Sequence, residues 1–364
     1  MADFFKFLKP VLHPSYLGID IGTTSIKIIE VNQGKQLPNI VNYGILETDS
    51  YLTRVNSALQ TSSLKLFERE VVELLKVLLA KMKPKTNEVL ASLPLFSSFV
   101  TVLDFPKMPD SDLSKAVIYQ AQQYIPSPIS EVAIDWIKVG EYSDEKGVPH
   151  MQILLTSVPK EQIQKYQNIF KAAGLNLRLL EIETLSLGRV LIGSDPTPTL
   201  VVDIGARSTN IAFFEKAHLK FNVQSDLGGS VVTQALVNSL KINPIRAEEL
   251  KRNKGISGTG PDYELSTLML PYVDAIIGEV KKAQYNYKIQ QPSAAAVERI
   301  VLAGGGSNLS GLEAYLKKQF GIPTVMRANP FVKFEYDTNI IEPIIGELGP
   351  IMCVPLGLTL REFI

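Results

Sequence analysis

Hydrophobic residues in this chain come in short runs that end at turn signals, and the spacing changes between strand and helix periods. Apolar runs predict strands at Tyr16–Ile21, Ser25–Val31, Val41–Leu46, Glu88–Pro94, Val100–Phe105, Val132–Tyr142 and Met151–Pro159. Helical spacing predicts helices over Phe67–Met82, over PDSDLSKAVIYQAQQYI, and over Lys160–Ala173. The second of these is expected to be capped by Asp110 or Ser111 and stopped by Pro126 and Pro128. GLNLRLLEI returns to strand before a helix at Thr184–Leu191.

GSDPTPT, Gly193 to Thr199, is rich in turn formers and reads as a connection between two lobes. Beyond it the opening pattern restarts. Helices are predicted at Ser230–Leu240, Ile245–Arg252 and Leu265–Tyr287, with a loop over KGISGTGPDY. A strand at Arg299–Ala303 then runs through a glycine run into a helix at Leu312–Phe320. LGIDIGTTSIKIIE and LVVDIGARSTNIAFF are the same phrase, their aspartates 183 positions apart (20 to 203). A strand-rich α/β unit thus occurs twice, which predicts two related lobes with a cleft between them.

The two tips carry the chemistry. Glycine lets backbone N–H groups approach a phosphate closely, and hydroxyls add donors. Gly22, Thr23 and Thr24 supply these in the first tip, and Gly205, Ala206, Arg207, Ser208 and Thr209 form the second. A carboxylate repels phosphate, so Asp20 and Asp203 make sense only if a hydrated Mg²⁺ lies between, held through water. Lys27 has the parity to reach back along the hairpin and neutralise phosphate charge. Either tip alone would be an ordinary hairpin turn. Gly304, Gly305 and Gly306 would let a base or ribose lie against bare backbone.

Composition excludes several classes. Lys and Arg number 37 against 37 Asp and Glu, so no nucleic-acid footprint is expected. The one cysteine, Cys353, forms no internal disulfide, and a small buried apolar role is expected. His13, His150 and His218 have no metal-ligand spacing. No stretch reaches the roughly 18 uninterrupted apolar residues of a membrane span. FFKFLKPVL, Phe4 to Leu12, either lies on a membrane surface or partner, or packs on its own domain.

The ordered set resembles the actin, heat-shock chaperone and sugar kinase superfamily. Asp20 to Lys27 resembles its first phosphate hairpin, Asp203 to Asn210 its second, and Ala303 to Ser307 its adenosine motif. The resemblance implies an ATP and Mg²⁺ site, with Ser307 in the adenosine motif. RAEELKRN resembles a superfamily helix in which Glu248 contacts the ribose and Lys251 lies beside the base; a solvated helix face with an i,i+3 pair is the other reading. It also implies a water-orienting carboxylate near EIETLSLGRV, Glu183 first and Glu181 as the alternative. Arg207 departs from the small or hydroxyl residue usual at its position.

No sugar-site constellation is present, and LGLTLREFI leaves no room for a chaperone's substrate domain. QQYIPSPISEVAIDW, Gln122 to Trp136, is similar to a hallmark of the type IV pilus assembly protein PilM family, and both hairpin phrases are PilM-like. REFI is too short for the membrane-targeting helix of FtsA. The expected fold is α/β: actin-like, two-lobed, with a duplicated core and an FtsA/PilM-type subdomain inserted in the first lobe.

The expected parts are an arm at 1–14, first-lobe core at 15–84 and 160–198, and the insert at 85–159. Second-lobe core occupies 199–240 and 299–364, with a small subdomain at 241–298. The resemblance further implies a cytoplasmic protein at the inner face of the membrane. It would bind the N-terminal cytoplasmic tail of a PilN-type single-span membrane protein, linking it to the pilus motors. Leu103, Ile118, Tyr119, Tyr124 and Ile125 are candidates for the tail's groove. A nucleotide used as a structural switch needs little turnover, so slow hydrolysis at most is expected. The rival readings are a self-associating, FtsA-like polymer and a small-molecule kinase.

Overall fold

A computed structural model describes residues 15–47, 68–144, 146–258, 263–292 and 294–364. The expected N-terminal arm, Phe67 and residues 259–262 of the expected loop lie outside them. The first lobe contains β1 (Ser15–Ile21), β2 (Ser25–Asn32), β3 (Asn39–Glu47), α1 (Glu68–Met82) and β4 (Glu88–Leu93). An inserted module follows: β5 (Phe99–Pro106), α2 (Asp110–Tyr124), β6 (Val132–Ser143) and β7 (Pro149–Pro159). The first lobe resumes with α3 (Lys160–Ala172), β8 (Asn176–Ile182) and α4 (Glu183–Leu191).

The second lobe contains β9 (Thr199–Ile204), β10 (Thr209–Glu215), β11 (His218–Ser225), α5 (Gly229–Leu240), α6 (Pro244–Lys254) and α7 (Tyr263–Gln290). It continues with β12 (Arg299–Ala303), α8 (Leu312–Phe320), β13 (Thr324–Arg327) and α9 (Ile345–Leu360).

The duplication read from the two phrases extends to whole sheets. Strand order is β3-β2-β1-β4-β8 in one lobe and β11-β10-β9-β12-β13 in the other. In each, an antiparallel meander leads into two parallel crossovers. Sheets covered on both faces need apolar residues of both parities. Ile26 and Ile28 accordingly face a core with α1 and α3, while Ile29 and Val31 face a core shared with α9.

The strand at Glu88–Leu93 corrects the expected start of the insert. It lies in the first-lobe sheet between β1 and β8, so the module's own sheet, β5-β7-β6, begins at Phe99. The expected side-chain cap of α2 is also corrected. Asp110 is already helical, and Pro109 holds the N-cap position without a side-chain hydrogen bond. Pro109 fixes φ near the helical value, and the acidic groups of Asp110 and Asp112 favour the helix N-terminus.

Helix α9 was not legible from periodicity. It contains Pro350 and Pro355 and is buried on every side, so it has no amphipathic stripe. It packs in one core with strands of both lobes, and fully buried Leu356 and Leu358 contribute roughly 2 kcal/mol each. Close approach depends on Gly18 and Gly357, where a Cβ would overlap the Pro355 and Ser186 carbonyls. The longer run Thr338–Phe363 is apolar enough by composition to cross a membrane, but 61% of its most apolar window is buried inside the protein.

Candidate functional site

Both hairpins close with the same bond. The Gly22 N–H donates to the Ser25 carbonyl and the Gly205 N–H to the Ser208 carbonyl, each at 2.9 Å. The register then pairs Asp20 with Lys27 and Asp203 with Asn210. Lys27 Nζ lies 2.8 Å from Asp20 Oδ2, and Ser92 Oγ donates to Asp20 Oδ1 at 2.8 Å. The second hairpin is held from behind: the N–H groups of Gly229 and Ser230, at the start of α5, donate to the Gly205 and Ala206 carbonyls.

Between the lobes lies a cleft of about 630 Å³. Asp20, Gly22, Thr23, Thr24 and Lys27 line it from one side; Asp203, Gly205, Ala206 and Ser208 line it from the other. Glu183, Glu248, Lys251, Gly304, Gly305 and Gly306 also reach it. Three expected residues do not. Thr209 is fully buried, its hydroxyl donating to the Leu227 carbonyl, and Ser307 Oγ donates back to the Gly304 carbonyl. Arg207 is partly buried on the second tip but does not line the cleft.

Electrostatics concentrate where the tips meet. Burial pushes Glu183 up to about 8, reinforced by the charges of Asp203 and Asp20. Burial pushes Asp203 up to about 6, with Lys27 opposing and Asp20 adding. Burial disfavours the Lys27 charge, but Asp20 outweighs it, and the pKa stays above the usual lysine value. Glu183 Oε1 accepts from the Leu95 N–H at 3.3 Å and from Asn210 Nδ2 at 3.4 Å. Glu181 is tied instead to Ser186, Arg189 and Arg361, away from the cleft.

The cleft also contains groups that the sequence reading did not select. Asn210 occupies in the second lobe the place of Lys27 in the first; the shared seven-residue offset from aspartate was the available signal. Its Nδ2 donates to Thr184 Oγ1 at 2.9 Å, and Asn222 Nδ2 donates to Thr184 Oγ1 at 2.9 Å and to Asn210 Oδ1 at 3.1 Å. This neutral network joins α4 of the first lobe to the β10–β11 hairpin of the second. At the cleft mouth Glu47 of the first lobe faces Arg252 of the second at 3.2 Å.

Three features suit a nucleotide. Glu248 and Lys251 form a largely buried pair at 2.6 Å, which removes the solvated-face reading. A Cβ on Gly305 would meet nothing within 4 Å among the described residues, whose packing therefore does not require glycine there. Asn308 donates from Nδ2 to the Glu347 carbonyl at 2.9 Å, which leaves its buried Oδ1 without a partner among the described residues. Among the described residues no three His, Cys, Asp or Glu side chains converge to hold a metal directly. Asp20 and Asp203 face the cleft from opposite lobes, and one or two carboxylates completed by water are an ordinary donor set for Mg²⁺. Cys353 lines the cleft floor, buried, with its thiol pushed up chiefly by burial.

The tail-groove candidates divide. Leu103 and Ile125 are 4% and 7% exposed and belong to the module's core, which corrects that expectation for both. Ile118, Tyr119 and Tyr124 are exposed on α2. A second pocket of about 580 Å³ lies elsewhere, on the opposite face of the module's sheet. The module contributes Ala133, Asp135, Ile137 and Val139 to it; the first lobe contributes Leu179 and Leu185; the second lobe contributes His218 and Leu219.

Comparison with known proteins agrees with this architecture. The family model for type IV pilus assembly protein PilM matches residues 18–363. A solved PilM-PilN type IV pilus biogenesis complex matches with a TM-score of 0.79 and 24% identity, over 95% of this chain and 98% of that one. MreB 5 of Spiroplasma citri, solved with AMPPNP, matches with a TM-score of 0.56 and 14% identity, over 96% of each chain. Cell division protein FtsA of Enterococcus hirae is 22% identical over 380 residues, spanning 90% of this chain and 84% of that protein. At these identities the solved structures share an actin-like fold with this chain.

Proposed function

This chain belongs to the type IV pilus assembly protein PilM family, and from that premise we propose a nucleotide-gated scaffold of the pilus platform. It binds ATP with Mg²⁺ between its lobes and the N-terminal cytoplasmic tail of a PilN-type membrane protein beside its module. It works at the inner face of the cytoplasmic membrane, coupling that partner to the pilus motors. One observation carries the reading: both hairpin tips, the Lys27 ammonium and the bare Gly305 backbone open into one cleft.

In that cleft the N–H groups of the two tips bind phosphate oxygens, and Lys27 turns from Asp20 towards them. Asp20 and Asp203 would hold Mg²⁺ through water, and the ion would supply neutralising charge to the phosphates. Gly304 to Gly306 receive the adenosine, Glu248 the ribose, and the Asn308 oxygen offers an acceptor at that end. Glu183 orients water. Burial pushes its pKa up to about 8, which makes it a poor base near neutral pH, in keeping with slow turnover at most.

The tail docks along β6. That strand is an edge of the module's sheet, so it has backbone groups to offer an added strand. Alternate residues, Ala133 to Val139, line the second pocket and receive apolar side chains.

The test is calorimetry of Mg-ATP binding, with and without a synthetic PilN-type tail, on wild type, Asp20→Ala and Ile137→Glu. The reading requires Mg-ATP binding that Asp20→Ala abolishes and tail binding that Ile137→Glu weakens at least tenfold. Without Mg-ATP binding, the nucleotide half is wrong. Mg-ATP binding without tail binding, joined by ATP-dependent sedimentation, points to an FtsA-like polymer. The exposed Ile118, Tyr119 and Tyr124 on α2 would then be a contact between subunits.

A further inference from the structure

Two β-bulges meet where the module touches the second lobe. In the β10–β11 hairpin the pairing moves from Phe213↔Phe221 to Phe214↔Leu219, so Lys220 is the extra residue. In β6 against β7 it moves from Lys138↔Ile153 to Gly140↔Gln152, so Val139 is the extra residue. A bulge re-aims a side chain and frees backbone groups from the ladder. Here the two fit together: Lys220 Nζ donates to the Val139 carbonyl at 2.6 Å and to Gln152 Oε1 at 2.7 Å. Gly140 leaves room for the ammonium, since a Cβ there would stand 2.7 Å from Nζ.

The same hairpin reaches the cleft at its other end. Thr209 pairs with Ser225 beside the second phosphate tip, whereas Glu215 pairs with His218 beside the second pocket. Six residue steps of strand separate Thr209 from Glu215, about 20 Å of stiff ladder. Between them, Asn210 and Asn222 meet Thr184 of the first lobe, which gives the hairpin a pivot. One end therefore follows a ligand gripped between the lobes. The other holds the strand that forms a wall of the second pocket. Second-lobe Leu219 and His218 are part of that pocket, so its shape depends on where the hairpin sits relative to the module.

We propose that Lys220 is the positioning residue that transmits lobe closure to the tail pocket, through its grip on the bulge of β6. The inference rests on the tail and nucleotide reading above and adds the path between the two sites. Lys220 lines neither cavity. Removing it should leave each ligand able to bind while severing their linkage, which by reciprocity must vanish in both directions.

Two substitutions cut the tie from opposite sides. Lys220→Met keeps the aliphatic stem and loses both bonds. Gly140→Ala displaces the Lys220 ammonium from the module side without changing any residue of the second lobe. Tail affinity would be measured by calorimetry without nucleotide and with Mg-AMPPNP. Wild type should differ between the two conditions by about fivefold or more, the lower end of ordinary coupling. Both variants should bind Mg-AMPPNP as wild type does, with the tail ratio brought to about one. If one variant fails to fold, the other bears the test.

Amide exchange over 132–143 gives a readout without the tail: nucleotide should protect this strand in wild type and not in the variants. Full coupling in both folded variants would overturn the inference. So would a wild type that binds both ligands with no coupling, although the proposed function would stand. A wild type that binds neither ligand removes both.

Discussion

Lys27 and Asp20 face each other across the first hairpin, Nζ to Oδ2 at 2.8 Å, with side chains 16% and 9% exposed. The pair is thus a nearly buried ion pair, and the Ser92 hydroxyl also donates to Asp20. Removing one partner of such a pair leaves an uncompensated charge, whereas removing both does not.

Lys27→Met should therefore destabilise the nucleotide-free protein by about 3 kcal/mol and weaken Mg-ATP binding at least tenfold. The double variant Asp20→Asn/Lys27→Met should recover most of the stability and none of the binding. Urea unfolding and calorimetry on the same samples separate the two effects. A Lys27→Met protein as stable as wild type would mean that the pair is not formed in solution.

Glu183 and Asp203 give the protein a pH signature. Both carboxyls titrate higher folded than unfolded, Glu183 near 8 against an ordinary 4.5 and Asp203 near 6 against 3.8. Between those values the folded state binds more protons than the unfolded state, so stability falls as pH rises. The contribution is complete below about pH 4 and lost through about pH 8. Urea midpoints should decline from pH 5 to 8.5 in wild type and decline less in Glu183→Gln. Equal slopes would remove the assignment.

The glycine run separates a fold requirement from a ligand requirement. Gly304 has φ +77°, and a Cβ there would overlap Asp203 Oδ1. Gly305 has open space. Gly304→Ala should lower the melting temperature. Gly305→Ala should leave it within about a degree and still weaken ATP by roughly tenfold, because the methyl meets only the ligand. Unchanged ATP affinity in Gly305→Ala would move the adenosine away from this backbone.

At the cleft mouth, Glu47 and Arg252 join the lobes through an exposed pair. Exposed pairs are worth about 0.2–1 kcal/mol, so charge reversal at Glu47 should speed release of a fluorescent ADP up to about fivefold. Neutralising the same residue, Glu47→Gln, should give a smaller effect of the same sign that leaves the Arg252–Glu248 pair at 3.0 Å intact, and added salt should narrow all differences. Stopped-flow release measures this, and identical rates in all variants would exclude a latch.

The sequence made the hairpins readable because their strands are short, apolar and bounded by glycine, and because the phrase is repeated. The repeat extends to the turn bond and the strand order. Elements whose reason lies in tertiary contact escaped. Helix α9 carries two prolines and no polar face, since both lobes cover it. Asn210 gave no chemical hint of its own; its meaning comes from standing where Lys27 stands. Thr209 looked like a phosphate donor, yet the strand turns its hydroxyl to the Leu227 carbonyl. The bulges at Val139 and Lys220 leave no pattern to read in a single sequence, because a bulge is defined by the partner strand.

The pivot formed by Thr184, Asn210 and Asn222 consists of hydroxyl and amide groups, none of which ionises in the physiological range. The mouth, by contrast, is closed by full charges. Ionic conditions inside a cell should thus tune how readily the cleft opens without altering the axis about which it opens. Changing salt would then vary how long the cleft stays closed while the axis of its opening stays the same.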